Sequence, residues 1–155
     1  MHAIDCLTED HRQLSSKLAA LEVVVAMGDH RRDVVEDSCR SVVQLLRDHI
    51  AREERFVGAC SRELGAIDSA QLEWLAIEHH EVHRQLQVIT WLLREELPKG
   101  MGELHVNLAG TVGTLRHQMS EQEAKLFPFL RPVMDRVGPL QQGPSSDVSS
   151  RCRSS

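Results

Sequence analysis

Apolar residues recur at intervals of three and four along most of the chain, the spacing that is typical of amphipathic α-helices. The first set is Leu14, Leu18, Leu21 and Val25. This set predicts a helix from Thr8 to about Met27, with Thr8 as its N-cap and Gly28 as its stop.

Two further helices follow from the same pattern. Their inward positions are Val42, Leu45, Leu46, Ile50 and Phe56 in one, and Leu72, Leu75, Leu86, Ile89 and Leu93 in the other. The second helix is predicted from about Asp33 to Leu64, where Gly65 stops it. The third is predicted to begin after Asp68 or Ser69, either of which can cap it.

A fourth helix follows the helix-breaking segment 97–100, which contains a proline and a glycine. Its inward positions are Leu104, Leu108, Val112, Leu115 and Met119. It is predicted to begin near Gly102 and to run towards Phe127, where Pro128 and Pro132 should kink or end it.

Four long helices joined by short breaks predict an all-α fold, an up-down-up-down antiparallel four-helix bundle formed by residues 1–137. Residues 138–155 are rich in Gly, Pro, Ser and Gln and poor in apolar side chains. Such a segment buries too little apolar surface to offset the entropy of ordering, so we expect a disordered tail.

Composition excludes several classes of function. The chain has 155 residues and a formal net charge of −5, and it lacks the Lys/Arg-rich block of a nucleic-acid-binding protein. No apolar run is long enough to cross a bilayer, and the first residues do not resemble a secretory signal. The cysteines are scattered without CxxC spacing: Cys6, Cys39, Cys60 and Cys152. Reduced thiols and a cytoplasmic location are therefore expected.

Seven side chains of metal-ligand type stand at helical spacing. They are His11 and the pairs His49 with Glu53, His79 with His83, and His117 with Glu121. Residues four apart lie about 40° apart around a helix, so each pair projects from one face. Imidazole and carboxylate suit iron, and seven ligands exceed what one zinc ion takes, which favours two iron ions. A mononuclear or zinc site and a metal-free bundle are the alternatives.

The order of these ligands resembles that of hemerythrin over about residues 4–130, including the segments IDCLTEDHRQL and HIAREERF. The resemblance assigns one iron to His79, His83 and His117, the other to His11 and His49, and the bridges to Glu53 and Glu121. It also implies an oxo or hydroxo group between the irons. The two-histidine iron would keep an open position for dioxygen, peroxide or nitric oxide.

The last helix departs from the HxxxxD pattern of hemerythrins, because Gln122 stands five residues after His117. Glu121 is therefore expected to replace the aspartate, as in the broader hemerythrin-like cation-binding family, with Glu123 as a reserve ligand if the helix bulges. Glu54 and Glu78 are expected to be solvated or to contact the ligands rather than the metal.

Four histidines are expected to have no ligand role: His2, His30, His80 and His105. A free-standing dioxygen-binding protein is the first functional expectation. An enzyme acting on peroxide or nitric oxide is the second, and an iron or oxygen sensor is the third. Thr114 stands where hemerythrin carries an apolar residue near the open site, or else back-bonds along its own helix.

Overall fold

The computed structural model describes residues 3–27, 32–64, 69–94 and 100–137, and these residues form helices without any strand. The helices are α1 (Ala3–Ala26), α2 (Arg32–Leu64), α3 (Ser69–Arg94), α4 (Gly100–Glu121) and α5 (Phe127–Val137), with a π-helical segment, Gln122–Leu126, between α4 and α5. The all-α prediction is confirmed. The predicted tail, and the predicted stops at Gly28 and Gly65, lie outside the described residues.

The helices pack as a bundle, with α1 against α2 and α4, and α3 against α4 and α2. Two apolar clusters fill its interior. The larger cluster includes Leu14, Leu18, Val42, Leu46, Leu86, Leu115 and Met119. The smaller cluster comprises Ile4, Leu7, Val57, Cys60, Leu75, Leu126, Phe127 and Leu130.

The two clusters alternate in their order along the chain. Helices α1 and α3 reach the smaller cluster first and the larger cluster second, whereas α2 reaches them in the opposite order. The run from α4 to α5 follows the order of α2. An up-down-up-down bundle requires this alternation, and that topology stays our prediction.

The predicted start of the first helix at Thr8 is wrong. The helix begins five residues earlier, and the Thr8 hydroxyl donates to the backbone carbonyl oxygen of Ile4 at 2.9 Å instead of capping the end. Burial of Ile4 and Leu7 in the smaller cluster explains the extension, because their apolar surface leaves water only if this turn is helical.

The prolines do not end the last helix. The chain widens into the π-helical segment, in which the Phe127 N–H donates to the carbonyl of Gln122, and then continues with Pro132 inside α5. Pro128 has no N–H to offer to a carbonyl one turn earlier, so the regular hydrogen-bond ladder is interrupted at this point. A π-turn adds one residue to the helix and shifts the positions that face inward.

Within the described residues, no helix combines the length and apolar character that a membrane span requires.

Candidate metal centre

A layer of polar side chains separates the two apolar clusters in the middle of the bundle. It consists of His11 on α1, His49 and Glu53 on α2, His79 on α3 and Gln122 in the π-helical segment, all of them buried. Each helix contributes where its apolar stripe passes from one cluster to the other. Polar groups at such depth cost free energy unless they are partnered, so their contacts define the layer.

Glu53 lies at the centre of this layer and is 0% exposed. Its Oε2 is 3.0 Å from His79 Nε2 and 3.7 Å from His49 Nε2, and it accepts a hydrogen bond from Gln122 Nε2 at 3.2 Å. Its Oε1 is buried and has no hydrogen-bond partner among the described residues. A buried carboxylate oxygen without a hydrogen-bond partner lowers the stability of the folded state, and a cation bound to this oxygen would compensate for the loss.

Each of the three histidines of the layer has a carboxylate next to its outer nitrogen, Nδ1. The Nδ1 distances are 2.9 Å from His11 to Glu123, 3.3 Å from His49 to Asp10, and 3.0 Å from His79 to Glu54. Asp10 is itself held by the Arg52 guanidinium. A carboxylate can only accept, so each Nδ1–H donates outward, and the Nε2 of a neutral ring then carries its lone pair inward. Carboxylates in this position orient metal-binding histidines and raise their basicity.

On the side of His11 and His49, the inward Nε2 atoms therefore face other acceptors. His11 Nε2 is 3.2 Å from His49 Nε2 and 3.0 Å from the Gln122 carbonyl oxygen Oε1. Among the buried groups of the layer, the Gln122 amide is the one fixed donor, and it is used on Glu53. The arrangement has too many lone pairs and too few protons, which is the electrostatic pattern of a site that accepts a cation.

The pKa values of His11 and His79 shift in opposite directions. Burial lowers the pKa of His11, and the adjacent His49 ring lowers it further, against the opposing effect of Glu123. Burial also acts to lower the pKa of His79, but Glu53 and Glu54 together raise it. Half-buried Glu78 has its pKa raised to about 7, chiefly by loss of solvent. Phe127 stacks on the His11 ring, with centroids 5.0 Å apart, and shields that side from water.

A family model described as the Hemerythrin HHE cation binding domain matches residues 2–130. The chain belongs to this family. No curated protein and no solved structure matches the chain.

Cation binding is thus the activity that the HHE domain family implies, and the polar layer fits a cation. Within the described part of the chain, no three His, Cys, Asp or Glu side chains already stand as a metal cage. The Nε2 atoms of His11 and His49 instead lie 3.2 Å apart. The partnerless Glu53 oxygen and the inward Nε2 atoms nevertheless have the chemistry of a metal donor set.

Three of the predicted ligands of this HHE domain lie away from the layer. His83 and His117 are exposed, and Glu121 pairs with Lys125 on the surface. His83 lines an open cleft of about 360 Å³ together with Arg47, Trp91 and Arg94. Two guanidinium groups lining the same cleft disfavour a bound cation. A ligand role for these three residues stays a prediction.

The stripe of buried positions explains this placement. On α3 the buried residues run Leu75, His79, Val82, Leu86, so the position after His79 that faces inward is 82 rather than 83. Beyond His117 the buried positions are Met119, Gln122 and Leu126, which leaves Glu121 outside. The buried positions of a 3.6-residue helix alternate between intervals of three and four, and the interval after His79 is three, so His83 falls outside the stripe while His49 and Glu53 stay on it together.

The sequence predicts four members of the layer but not Gln122, because Glu121 was expected to supply the side chain from this part of the helix. The signal was the place of Gln122 three residues after Met119 on the apolar stripe. The prediction also missed Asp10, which immediately precedes His11. Glu123 contacts His11 from outside and does not enter the layer.

Of the other residues singled out in the sequence, His2 and His30 lie outside the described residues, and three can be located. His80 and His105 are exposed, and Thr114 Oγ1 donates to the backbone carbonyl oxygen of Gly110 at 3.1 Å, the back-bonding arrangement.

Proposed function

We propose that this HHE domain binds a transition-metal ion, iron by its donor chemistry, in the polar layer through His11, His49 and Glu53. The observation that supports the proposal most strongly is the partnerless Oε1 of fully buried Glu53, in the same layer as imidazoles whose Nδ1–H groups are directed outward. His79 contacts the other oxygen of Glu53 and holds the carboxylate in place.

The donor set favours iron. Two imidazoles and one carboxylate are the ligands with which proteins hold non-haem ferrous iron while leaving coordination positions open. The three cysteines in the described part of the chain, Cys6, Cys39 and Cys60, belong to the apolar core rather than the layer. Bound iron would supply redox chemistry and open positions for a small ligand, and we propose dioxygen as that ligand.

The protein residues have definite tasks in this function. Asp10, Glu54 and Glu123 keep the three imidazoles in one tautomer and one orientation. The two apolar clusters keep bulk water from both sides of the layer, which strengthens the electrostatic interaction between Glu53 and a cation.

A two-iron centre, as the sequence suggests, would also require His83, His117 and Glu121 to face inward. The exposure of His83 and His117 and the Glu121–Lys125 ion pair favour a centre built on the His11, His49 and Glu53 side. We therefore propose that the site binds one metal ion per chain.

The test is iron content per chain, combined with the visible spectrum through an anaerobic, aerobic and again anaerobic cycle. We expect one iron per chain and a charge-transfer band that appears with air and disappears on deoxygenation. Glu53→Ala and His11→Ala should lose the iron. The matched control is His80→Ala, which removes an exposed histidine next to His79 and should leave the iron content unchanged.

Three results would contradict parts of the proposal. If the wild-type protein contains no iron after anaerobic loading, the proposal that it binds iron is wrong. If Glu53→Ala retains all of its iron, the metal site is not in this layer. If the iron oxidises irreversibly in air but gives a new spectrum with peroxide or nitric oxide, that molecule rather than dioxygen is the ligand.

A further inference from the structure

Gln122 is the residue through which the last part of the bundle reaches the polar layer. It is 5% exposed and lies at the first position of the π-helical segment. The neighbouring acids point elsewhere: Glu121 pairs with Lys125, and Glu123 contacts the outer side of the His11 ring. A neutral carboxamide, and neither of these two acids, therefore reaches the layer from this segment.

The two ends of this carboxamide face different halves of the layer. Its Oε1 is 3.0 Å from His11 Nε2, on the side where the rings of His11 and His49 meet. Its NH₂ group donates to Glu53 Oε2 at 3.2 Å and approaches Glu78 Oε2 at 3.5 Å. His79 Nε2, 3.0 Å from the same Glu53 oxygen, lies on this second side.

The second half contains the donor types of a cation site. His79 Nε2 and the carboxylate oxygens of Glu53 and Glu78 are a nitrogen and two oxygen donors, the set that a divalent metal ion prefers. The NH₂ group of Gln122 instead provides the partial positive charge between the two carboxylates. Because an amide hydrogen-bond donor and a metal ion compete for the same lone pairs, one excludes the other.

We propose that Gln122 limits this centre to a single metal ion, because its carbonyl oxygen completes the His11–His49 half while its NH₂ group fills the His79–Glu78 half. This inference rests on the proposed function, since it presupposes that the first half binds metal. It identifies a residue that determines metal stoichiometry, and it places that control in the π-helical segment that orients Gln122.

Charge supports the same conclusion. Two divalent ions bring four positive charges, and Glu53 in the layer and half-buried Glu78 beside it offset at most two of them. A carboxylate at position 122 would offset a third charge and remove the competing donor at the same time. Buried charge is tolerated in proteins only when it is closely compensated, so both changes favour a second ion.

The experiment measures ferrous ions bound per folded chain, by anaerobic titration followed by desalting and metal analysis, for the wild type, Gln122→Glu and Ser120→Glu. We expect about one ion for the wild type and two for Gln122→Glu. Ser120→Glu adds the same charge at an exposed position two residues away and should stay at one. The thermal midpoint of each protein with and without metal serves as a second readout.

Gln122→Ala provides an independent variant if the buried carboxylate impairs folding. It removes the NH₂ group without adding charge, and it should take up a second ion when iron is in excess.

The outcomes separate the two proposals. A wild type that binds no metal contradicts the proposed function itself. A wild type with one ion, combined with folded Gln122→Glu and Gln122→Ala proteins that also stay at one, leaves the function standing and overturns the role of Gln122. A wild type with two ions, or a second ion in Ser120→Glu, overturns it as well.

Discussion

Replacement of Glu53 by glutamine should separate the metal-binding role of this residue from any structural role. The side chain is fully buried, with one oxygen shared between His79 and Gln122 and the other without a partner. Glutamine has the same shape but no charge. The metal-free protein therefore loses the favourable contact with His79 and also the cost of burying a carboxylate that is only partly satisfied.

These two effects act in opposite directions. Loss of one partner of a buried ion pair costs about 3–5 kcal/mol when the remaining charge has no compensation. His79 retains Glu54 at its Nδ1, and its ring can give up a proton, so the remaining charge is compensated. We expect the metal-free Glu53→Gln protein to lie within about 1 kcal/mol of the wild type, a shift of about 2–4 °C in Tm.

The metal-bound state should differ much more. A ligand present at about 100 times its Kd stabilises the folded state by about 2.7 kcal/mol, which raises the Tm of a chain of this size by about 5–11 °C. Glu53→Gln should lose this rise, because the amide replaces the charged donor with a neutral one. The assay is thermal unfolding followed by circular dichroism, with and without ferrous iron under anaerobic conditions.

The matched control is Glu54→Gln, the adjacent glutamate, whose side chain is 58% exposed and contacts only the outer nitrogen of His79. It should keep most of the metal-dependent rise. The reasoning is refuted if Glu53→Gln keeps the full rise in Tm. It is also refuted if the metal-free variant is destabilised by more than about 3 kcal/mol, since Glu53 would then be a structural residue.

Three further predictions concern other parts of the chain. Burial raises the pKa of the Cys39 thiol to about 12, so iodoacetamide should label this thiol only after unfolding, as mass spectrometry of the labelled peptides would show. Because the folded state retains the thiol proton to higher pH than the unfolded state, the free energy of unfolding should fall as pH rises above about 8.5. Leu7→Ala should lower the free energy of unfolding, measured in urea, by about 2–5 kcal/mol, whereas Val23→Ala at an exposed position should change it by less than about 0.5 kcal/mol. Equal effects of the two substitutions would contradict the assignment of Leu7 to the core. His83→Ala and His117→Ala should retain iron, and loss of iron from either would favour the seven-residue ligand set suggested by sequence.

Much of the candidate site follows from local pattern. His11, His49, Glu53 and His79 each occupy a place in an apolar stripe of their own helix, so their inward direction follows from periodicity alone. The metal chemistry follows from residue type, because three imidazoles and a carboxylate in one buried layer have few other uses. The match to the HHE family agrees with that assignment.

The sequence by itself determined the helices, the inward histidines and the class of ligand, because these depend on residue type and on the 3.6-residue period. Tertiary structure alone decided which member of a closely spaced set enters the layer. His83 and Glu121 satisfy i,i+4 spacing but fall off the buried stripe, whereas Gln122, at the first position of the π-helical segment, lies on it. The contact of Glu123 with His11, 112 residues apart, likewise depends on how α1 packs against the end of the bundle. Such choices depend on packing between distant segments, which local spacing does not encode.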